Sequence, residues 1–204
     1  MAQLRPRLGD RILDLGGDDG GHIAQVLPFR EGVVVADISP ESLRRASEVY
    51  GFETLLLDES GRIPEGEQSF DIVFCSSVIE HATVDKDDLE AYATTSAFEE
   101  AAFERQQVLS REVRRVGRAY FVQTPNKYFV IESHTWLPVA VVFLPRAAQI
   151  RLLRLLNRWW PKKTSPDWHL LTFREMQRLF PDGHVVRERW LGMTKSLIAI
   201  KPRS

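Results

Sequence analysis

Hydrophobic residues in this chain are grouped into short runs that polar and turn residues separate. Five nearly continuous apolar runs predict strands at residues 11–16, 32–37, 53–58, 70–76 and 119–124. Runs of this kind are typical of parallel strands that helices cover on both faces. Two more strands are predicted at 184–190 and 195–201, and the four residues "LGMT" between them predict an antiparallel hairpin.

Helical patterns lie between these strands. Residues 21–27 predict a short helix, and residues 39–51 predict a longer one that Ser39 caps and Gly51 ends. Residues 84–117 form a helix-prone connection that is long enough for more than one helix. A capping-box spacing begins another helix at 172–180. Repeated strand–helix units predict right-handed crossovers and therefore an α/β doubly wound sheet.

The alternation stops at residues 125–168, which hold much of the unusual composition of the chain. This segment is too short to form a core of its own, so we expect an insertion and not a second domain. The predicted organisation is a single domain over residues 1–204. Within it, residues 125–168 form a helical or irregular insertion or lid on the substrate side.

A basic segment at residues 146–163 lies inside this insertion. Helical spacing puts Arg151, Arg154 and Arg158 on one face and directs leucines and a tryptophan toward another, at Leu152, Leu156 and Trp160. Lys162 and Lys163 follow. Two interpretations stay open: a peripheral contact with anionic lipid or a lipid-linked acceptor, or a lid helix whose leucines pack on the edge of the sheet.

Composition narrows the choice of partners and compartment. The chain has 204 residues, 44% of them hydrophobic, and a net charge of −1, so no overall attraction to nucleic acid is expected. Cys75 is the only cysteine, which fits a reducing compartment. No apolar run reaches the ~20 residues that cross a bilayer, and the first residues lack the apolar core of a signal peptide. We expect a cytoplasmic protein, at the membrane surface if the basic segment binds lipid.

Polar residues follow the first four predicted strands, where an open α/β sheet binds its ligands. The glycine-rich loop "LDLGGDDGG" spans residues 13–21, Asp37 and Asp58 end the second and third strands, and Ser76 to His81 follow the fourth. A carboxylate after the second strand can accept hydrogen bonds from both hydroxyls of a ribose. Each acid alone could be a helix cap, but three acids in register with a glycine loop favour a nucleotide-like ligand.

On these residues the sequence resembles the class I S-adenosylmethionine (SAM)-dependent methyltransferases. The matching segments are "ILDLGGDDGG", "VVVADIS", "LLLDES", "SFDIVFCSSVIEHA" and "REVRRVGRAYFVQTPNKYF". The segments "FDIVFCSSVIEH" and "TPNKYF…H…LP" look most like bacterial members of the branch that contains quinone-biosynthesis and surface-glycan methyltransferases. The resemblance implies a Rossmann-like, mostly parallel seven-stranded sheet with an antiparallel C-terminal hairpin.

The resemblance also implies a role for each matching residue. The loop glycines would approach the methionine part of SAM, Asp37 would bind the ribose, and Asp58 would accept from the adenine amino group. Serines after the fourth strand would line the pocket near the sulfonium, with Glu80 and His81 just beyond. The implied cofactor-binding set is Asp14, Gly16, Gly17, Asp18, Gly20, Asp37, Ile38, Asp58, Glu59, Ser76 and Ser77.

The chain departs from the family pattern at two places. Asp18 replaces the middle glycine of the loop, and aspartate tolerates left-handed backbone better than most residues. Its carboxylate could contact the ammonium of SAM or weaken the site by repelling the SAM carboxylate, and we favour the contact. Only about ten residues precede the first predicted strand, where the family carries a helix over the cofactor. We expect the insertion or a partner chain, such as a second copy in a homo-oligomer, to supply that cover.

Methyl transfer from an activated sulfonium depends mainly on positioning. A hydroxyl acceptor would also benefit from a general base, and the candidates are Glu132, His134 and His81. We favour His81 more as a residue lining the SAM pocket than as the base. His22, His169 and His184 lack partners at metal-ligand spacing, so we expect no metal site.

The predicted function is SAM-dependent methyl transfer to a small-molecule, glycan or lipid-linked acceptor, at oxygen. A second hypothesis is a non-catalytic scaffold or subunit of the same fold, with SAM binding weakened by Asp18. A third, an NAD-dependent dehydrogenase, is disfavoured because "GGDDGG" does not fit G-x-G-x-x-G and no second domain follows.

Overall fold

In the part of the chain that the structure describes, seven strands form one sheet in the order β3-β2-β1-β4-β5-β7-β6. The computed structural model describes residues 4–84, 94–129, 144–159 and 167–203. Strands β1 to β5 are parallel, and β7 runs antiparallel to both β5 and β6. The strands are β1 Ile12–Leu15, β2 Val33–Asp37, β3 Glu53–Leu56, β4 Phe70–Ser76, β5 Gly117–Pro125, β6 His184–Trp190 and β7 Met193–Lys201. The predicted doubly wound α/β fold is confirmed, and its switch in strand order lies between β1 and β4.

Five α-helices and one 3-10 turn accompany these strands in the described part of the chain. They are α1 Gly21–Val26, α2 Pro40–Tyr50, the 3-10 turn Ile79–His81, α3 Thr95–Val116, α4 Arg146–Leu156 and α5 Phe173–Leu179. Ser39 caps α2 as predicted, and Thr172 and Glu175 form the predicted capping box of α5. In the predicted helical connection, residues 94–117 form the single helix α3 with its caps, and residues 85–93 lie outside the described residues.

The β6–β7 connection differs from its prediction. It consists of two residues, Leu191 and Gly192, and not the four residues of "LGMT". Both have positive φ, +47° and +82°, as two-residue hairpin turns of the primed types require. The prediction was wrong because Trp190 already pairs with Met193, so the strand resumes two residues earlier than the composition suggested.

The core occupies both faces of the sheet, which explains the nearly continuous apolar runs. One layer places α1 and α2 against the sheet through Ile23, Leu43 and Ala46. The other layer includes residues of α3 and α5, among them Val113 and Met176. Side chains of β1 alternate between the layers, with Ile12 in the first and Leu13 and Leu15 in the second. The carboxyl ends of β1, β2 and β4 are thereby fixed beside one another.

Helix α4 lies in the predicted insertion. Gln149 and Leu153 are buried and Arg151 is exposed, and directly after the helix Arg158 is exposed and Trp159 is 88% exposed. Trp160, Lys162, Lys163 and the side chain of Arg154 lie outside the described residues, so the predicted basic face is described only in part. Within the described residues, no helix is long and apolar enough to cross a membrane.

Candidate functional site

A cleft of about 350 Å³ lies at the carboxyl ends of β1 to β4, at the switch in strand order. Seven of the predicted site residues line it together: Gly16, Asp37, Ile38, Asp58, Glu59, Ser77 and His81. Asp14, Gly17, Asp18, Gly20 and Ser76 belong to the adjoining loop and strand ends but do not line the cleft. Glu132 and His134 lie outside the described residues.

The loop after β1 requires glycine at the positions where the chain has it. Gly16 has a φ of +68°, and a Cβ added there would lie 2.5 Å from Val78 Cγ2. A Cβ on Gly17 would collide with Asp14 Oδ2, and a Cβ on Gly20 would lie 2.8 Å from Phe52. The N–H groups of Gly16 and Gly17 both donate to Ala36 O, at 2.7 and 3.2 Å. The loop backbone is therefore packed closely against β2, Phe52 and Val78.

Asp18 keeps the turn intact in place of the usual glycine. Its φ is +50°, and its N–H donates to Asp37 Oδ2 at 3.0 Å. Its Oδ1 accepts a hydrogen bond from Ser42 Oγ on α2. Asp18 thus connects the loop to the end of β2 and to the first turn of α2. The contact between Asp18 and the ammonium of SAM stays a prediction.

Asp37 organises the neighbouring part of the cleft. Its Oδ1 accepts from the Ser39 N–H at 2.9 Å, in addition to the bond from Asp18. A carboxylate oxygen has two lone pairs, so both oxygens can still accept a hydroxyl. Ile38 follows, and its side chain is 54% exposed at the cleft. A carboxylate that can accept hydrogen bonds from a diol, beside an exposed apolar side chain, suits a nucleoside.

Asp14 is a buried carboxyl group beneath the glycine loop. It is 3% exposed, and its Oδ2 has no hydrogen-bond partner in the structure as described. Burial and, as the smaller cause, the negative charge of Asp37 together raise its pKa to about 7. An ammonium group at this edge of the loop would offset both effects. The residues present therefore fit the amino-acid end of SAM.

The opposite wall of the cleft is formed by the residues after β4. Ser77 has a φ of +58°, and its N–H donates to Gln123 O at 2.9 Å. His81 Nδ1 lies 3.9 Å from Asp167 Oδ1 at the cleft. Glu80 is fully buried and accepts from Thr124 Oγ1 at 2.9 Å. It does not line the cleft, because the 3-10 turn directs it into the core.

Several contributors to the cleft were missed from the sequence. Arg105 and Asp167 line it, and Arg105 Nη1 donates to Glu59 O at 3.0 Å. Behind the wall, the buried Gln106 Nε2 donates to Ile79 O and to His169 O, at 3.0 and 2.9 Å. The one available signal was a glutamine at a buried position of the periodic pattern of α3, among Ala102, Leu109 and Val113.

Metal binding receives no support from the described residues. Among them, no group of three or more His, Cys, Asp or Glu side chains could hold a metal ion. His169 Nδ1 instead lies 3.0 Å from Gln106 Oε1, and burial is the largest cause that lowers the pKa of His169.

Comparisons with known proteins agree with this geometry. The family model described as a methyltransferase domain matches residues 13–118. The YcgJ protein of Bacillus subtilis has a similar structure, with a TM-score of 0.58 and 14% identity over 100% of this chain and 96% of that chain. The PH0226 protein of Pyrococcus horikoshii OT3 gives a TM-score of 0.52 and 17% identity over 97% and 84% of the two chains.

A third similar structure is the complex between the Haloferax volcanii Trm112 methyltransferase activator and the putative methyltransferase. Its TM-score is 0.53, with 13% identity over 98% of this chain and 84% of that one. None of the curated proteins matches the chain significantly. At these identities the solved structures support the fold, whereas the family match covers the residues that line the cleft, apart from Asp167.

Proposed function

The chain belongs to the methyltransferase domain family, and we propose that it methylates a hydroxyl oxygen of a small-molecule, glycan or lipid-linked acceptor. SAM is the methyl donor of this family, and the chain is a SAM-dependent methyltransferase. One cleft is lined by Gly16, Asp37, Asp58 and His81, and this observation supports the assignment of the site.

Each part of SAM has a matching group in the proposed site. Asp14 and the glycine loop would hold the methionine part, Asp37 would accept from the ribose hydroxyls, and Ile38 would pack against the adenine. The Asp58 carboxylate is held in place because it accepts from the N–H and hydroxyl of Ser60. Bound SAM supplies a methyl group on a sulfonium, so the protein has to position the acceptor and exclude water.

Oxygen is the proposed target because a hydroxyl needs its proton removed, and the cleft offers a base. His81 lines the cleft with a carboxylate, that of Asp167, on the Nδ1 side of its ring. Such a neighbour favours the proton on Nδ1 and leaves Nε2 able to accept one. We assign His81 the role of general base, and Glu132 and His134 remain the other candidates.

An acceptor search with isotope-labelled SAM tests this proposal. The chain is incubated with cell extract separated into water-soluble and lipid fractions, and the carbon chemical shift of the transferred methyl identifies the atom that carries it. We expect a methyl ether, the product of methylating a hydroxyl. A methyl group on nitrogen or carbon, or a methyl ester, would contradict the proposed target.

A variant pair tests the role of the base once a methylated product is found. His81→Gln should lower the turnover rate by roughly a hundredfold or more and leave the affinity for S-adenosylhomocysteine (SAH) within about twofold. His184→Gln is the matched control, because His184 is exposed on β6 and does not line the cleft. Equal turnover in His81→Gln and in the control would remove His81 as the base.

A further inference from the structure

A second cavity lies at the same edge of the sheet as the cofactor cleft. It has a volume of about 640 Å³ and lies between the end of β5, the start of α5 and the β6–β7 hairpin. The antiparallel pairing of Thr124 with Leu197 brings the first residues of β7 beside the last residues of β5. Its lining includes Asn126, Tyr128, Phe173, Arg174, Arg187 and Leu197.

The charged side chains among the described residues that line this cavity are all positive. Two guanidinium groups line it, those of Arg174 and Arg187, and the described residues of its lining include no Asp or Glu. Among the residues that the structure describes, neither arginine forms an ion pair. Lys127 lies nearby in sequence, but its Nζ is paired with Glu99 Oε1 at 3.0 Å. The two arginines therefore keep a positive potential in the cavity.

The walls of the cavity are held by internal contacts. Arg187 Cζ lies 3.6 Å from the centroid of the Phe173 ring, and this stacking fixes the position of the guanidinium. Asn126 Nδ2 donates to Thr194 O at 3.0 Å, and so joins the end of β5 to the start of β7. A binding site that is already formed loses little affinity to the ordering of its side chains.

Residues 167–171, which we call the strap, connect this cavity to the cofactor cleft. Asp167 lines the cleft, and Thr172, directly after the strap, lines the cavity. Asp167 O accepts from Thr83 Oγ1 at 2.8 Å, and the His169 N–H donates to Glu80 O at 2.8 Å. Even fully extended, the five steps from Asp167 to Thr172 span at most about 18 Å. One elongated acceptor molecule can reach both sites.

We propose that this cavity binds an anionic group of the methyl acceptor, a phosphate or a carboxylate, while the hydroxyl to be methylated lies in the cofactor cleft. This inference rests on the proposed function. Guanidinium groups bind such anions through two parallel hydrogen bonds, and Arg187 presents its group in a fixed pose. Phe173 and Leu197 give the same cavity an apolar surface for the part of the acceptor beside the anion.

The anion can belong to a soluble molecule or to a lipid-linked one. The tip of the hairpin beside the cavity exposes Trp190 and Leu191, the latter by 78%, which is a reason to test a lipid source directly. The full chain is therefore titrated with inorganic phosphate and with pyrophosphate by calorimetry. In a parallel arm it is sedimented with vesicles of phosphatidylglycerol, with phosphatidylcholine vesicles as the neutral reference.

The variants are Arg187→Met and Arg174→Met, because methionine keeps an apolar stem and removes the charge. Arg178→Met is the matched control: Arg178 is an exposed arginine of α5 that faces Phe103 at 5.8 Å and does not line the cavity. We expect anion binding to weaken by at least roughly tenfold in the first two variants and to stay unchanged in the control. SAH affinity should remain within about twofold in all three.

The outcomes separate this inference from the proposed function. Arginine-dependent binding of phosphate or pyrophosphate supports it with a soluble acceptor, and arginine-dependent binding to phosphatidylglycerol supports it with a lipid-linked one. If SAH binds but no anionic probe does, or if Arg187→Met and Arg174→Met bind the probe as the control does, the inference is overturned and the proposed function stands. If the folded wild-type chain binds no SAH, both fall.

Discussion

Replacing Asp14 by asparagine should make the protein more stable at high pH and weaken its cofactor binding. The folded-state pKa of Asp14 is about 7, whereas the ordinary pKa of an aspartate side chain is 3.8. Between these two values the unfolded chain has released the proton that the folded chain still holds. The free energy of unfolding therefore falls as pH rises, by about 1.4 kcal/mol per pH unit and about 4 kcal/mol in all.

The comparison of two pH values isolates this effect. From about pH 5 to about pH 8 the wild type should lose about 3 kcal/mol of stability relative to Asp14→Asn, because other groups titrate equally in both proteins. Any cost of burying the amide is the same at both pH values and cancels. Urea unfolding followed by tryptophan fluorescence measures the difference. The control is Asp19→Asn, a loop carboxylate paired with Arg45 at 3.3 Å, which keeps Asp14 and should keep the wild-type pH dependence.

Cofactor binding should change in the opposite direction. The ammonium of SAH favours the ionised carboxylate, so we expect wild-type affinity to rise with pH up to about pH 7 and this rise to be absent in Asp14→Asn. A variant whose stability curve runs parallel to the wild type would refute the buried-charge argument. Unchanged SAH affinity in the variant would refute the assignment of Asp14 to the ammonium.

Three further substitutions test other parts of the structure. Gln106→Leu removes the hydrogen bonds to Ile79 O and His169 O and should lower the free energy of unfolding by about 3 kcal/mol. Gln107→Leu, at the exposed neighbouring position, should change this free energy by less than about 0.5 kcal/mol. Equal effects of the two variants in urea unfolding would contradict the buried role of Gln106. Gly16→Ala forces a Cβ into Val78 at a φ of +68° and should weaken SAH binding more than about tenfold by calorimetry, whereas Gly66→Ala, with open space around it, should bind normally. Leu191→Asn suits the positive φ of the hairpin turn and should raise the unfolding free energy by about 0.5–1 kcal/mol; a lower melting temperature would contradict the turn assignment.

The pattern of apolar runs was sufficient for the strands and for the edge of the sheet that carries the site. Each predicted strand overlaps an observed one, because parallel strands buried on both faces leave a strong local signal. Asp37 and Asp58 were found for a related reason. Asp37 is the last residue of β2 and Asp58 lies two residues after β3, and the carboxyl ends of parallel strands meet at one edge.

Contacts between distant segments could not be read from the sequence. Gln106 and His169 are 63 positions apart, and their bond exists only because α3 and the strap meet beneath the cleft. Arg187 could not be recognised as a candidate, because the polar and apolar residues of β6 follow the pattern of an ordinary exposed strand. Asp18 illustrates a third limit: its identity suggested a ligand contact, but its hydrogen bond to Ser42 depends on where α2 begins.

Calorimetric titration of the folded chain with SAH tests the central claim most directly, with Asp37→Ala as the partner variant. Asp37 accepts hydrogen bonds from the Asp18 and Ser39 N–H groups, and it is the proposed acceptor of hydrogen bonds from the ribose hydroxyls. We predict binding at a single site in the wild type and an affinity at least roughly a hundredfold lower in Asp37→Ala. No binding by the wild type, or equal affinity in the two proteins, would contradict the assignment of this cleft as the SAM site.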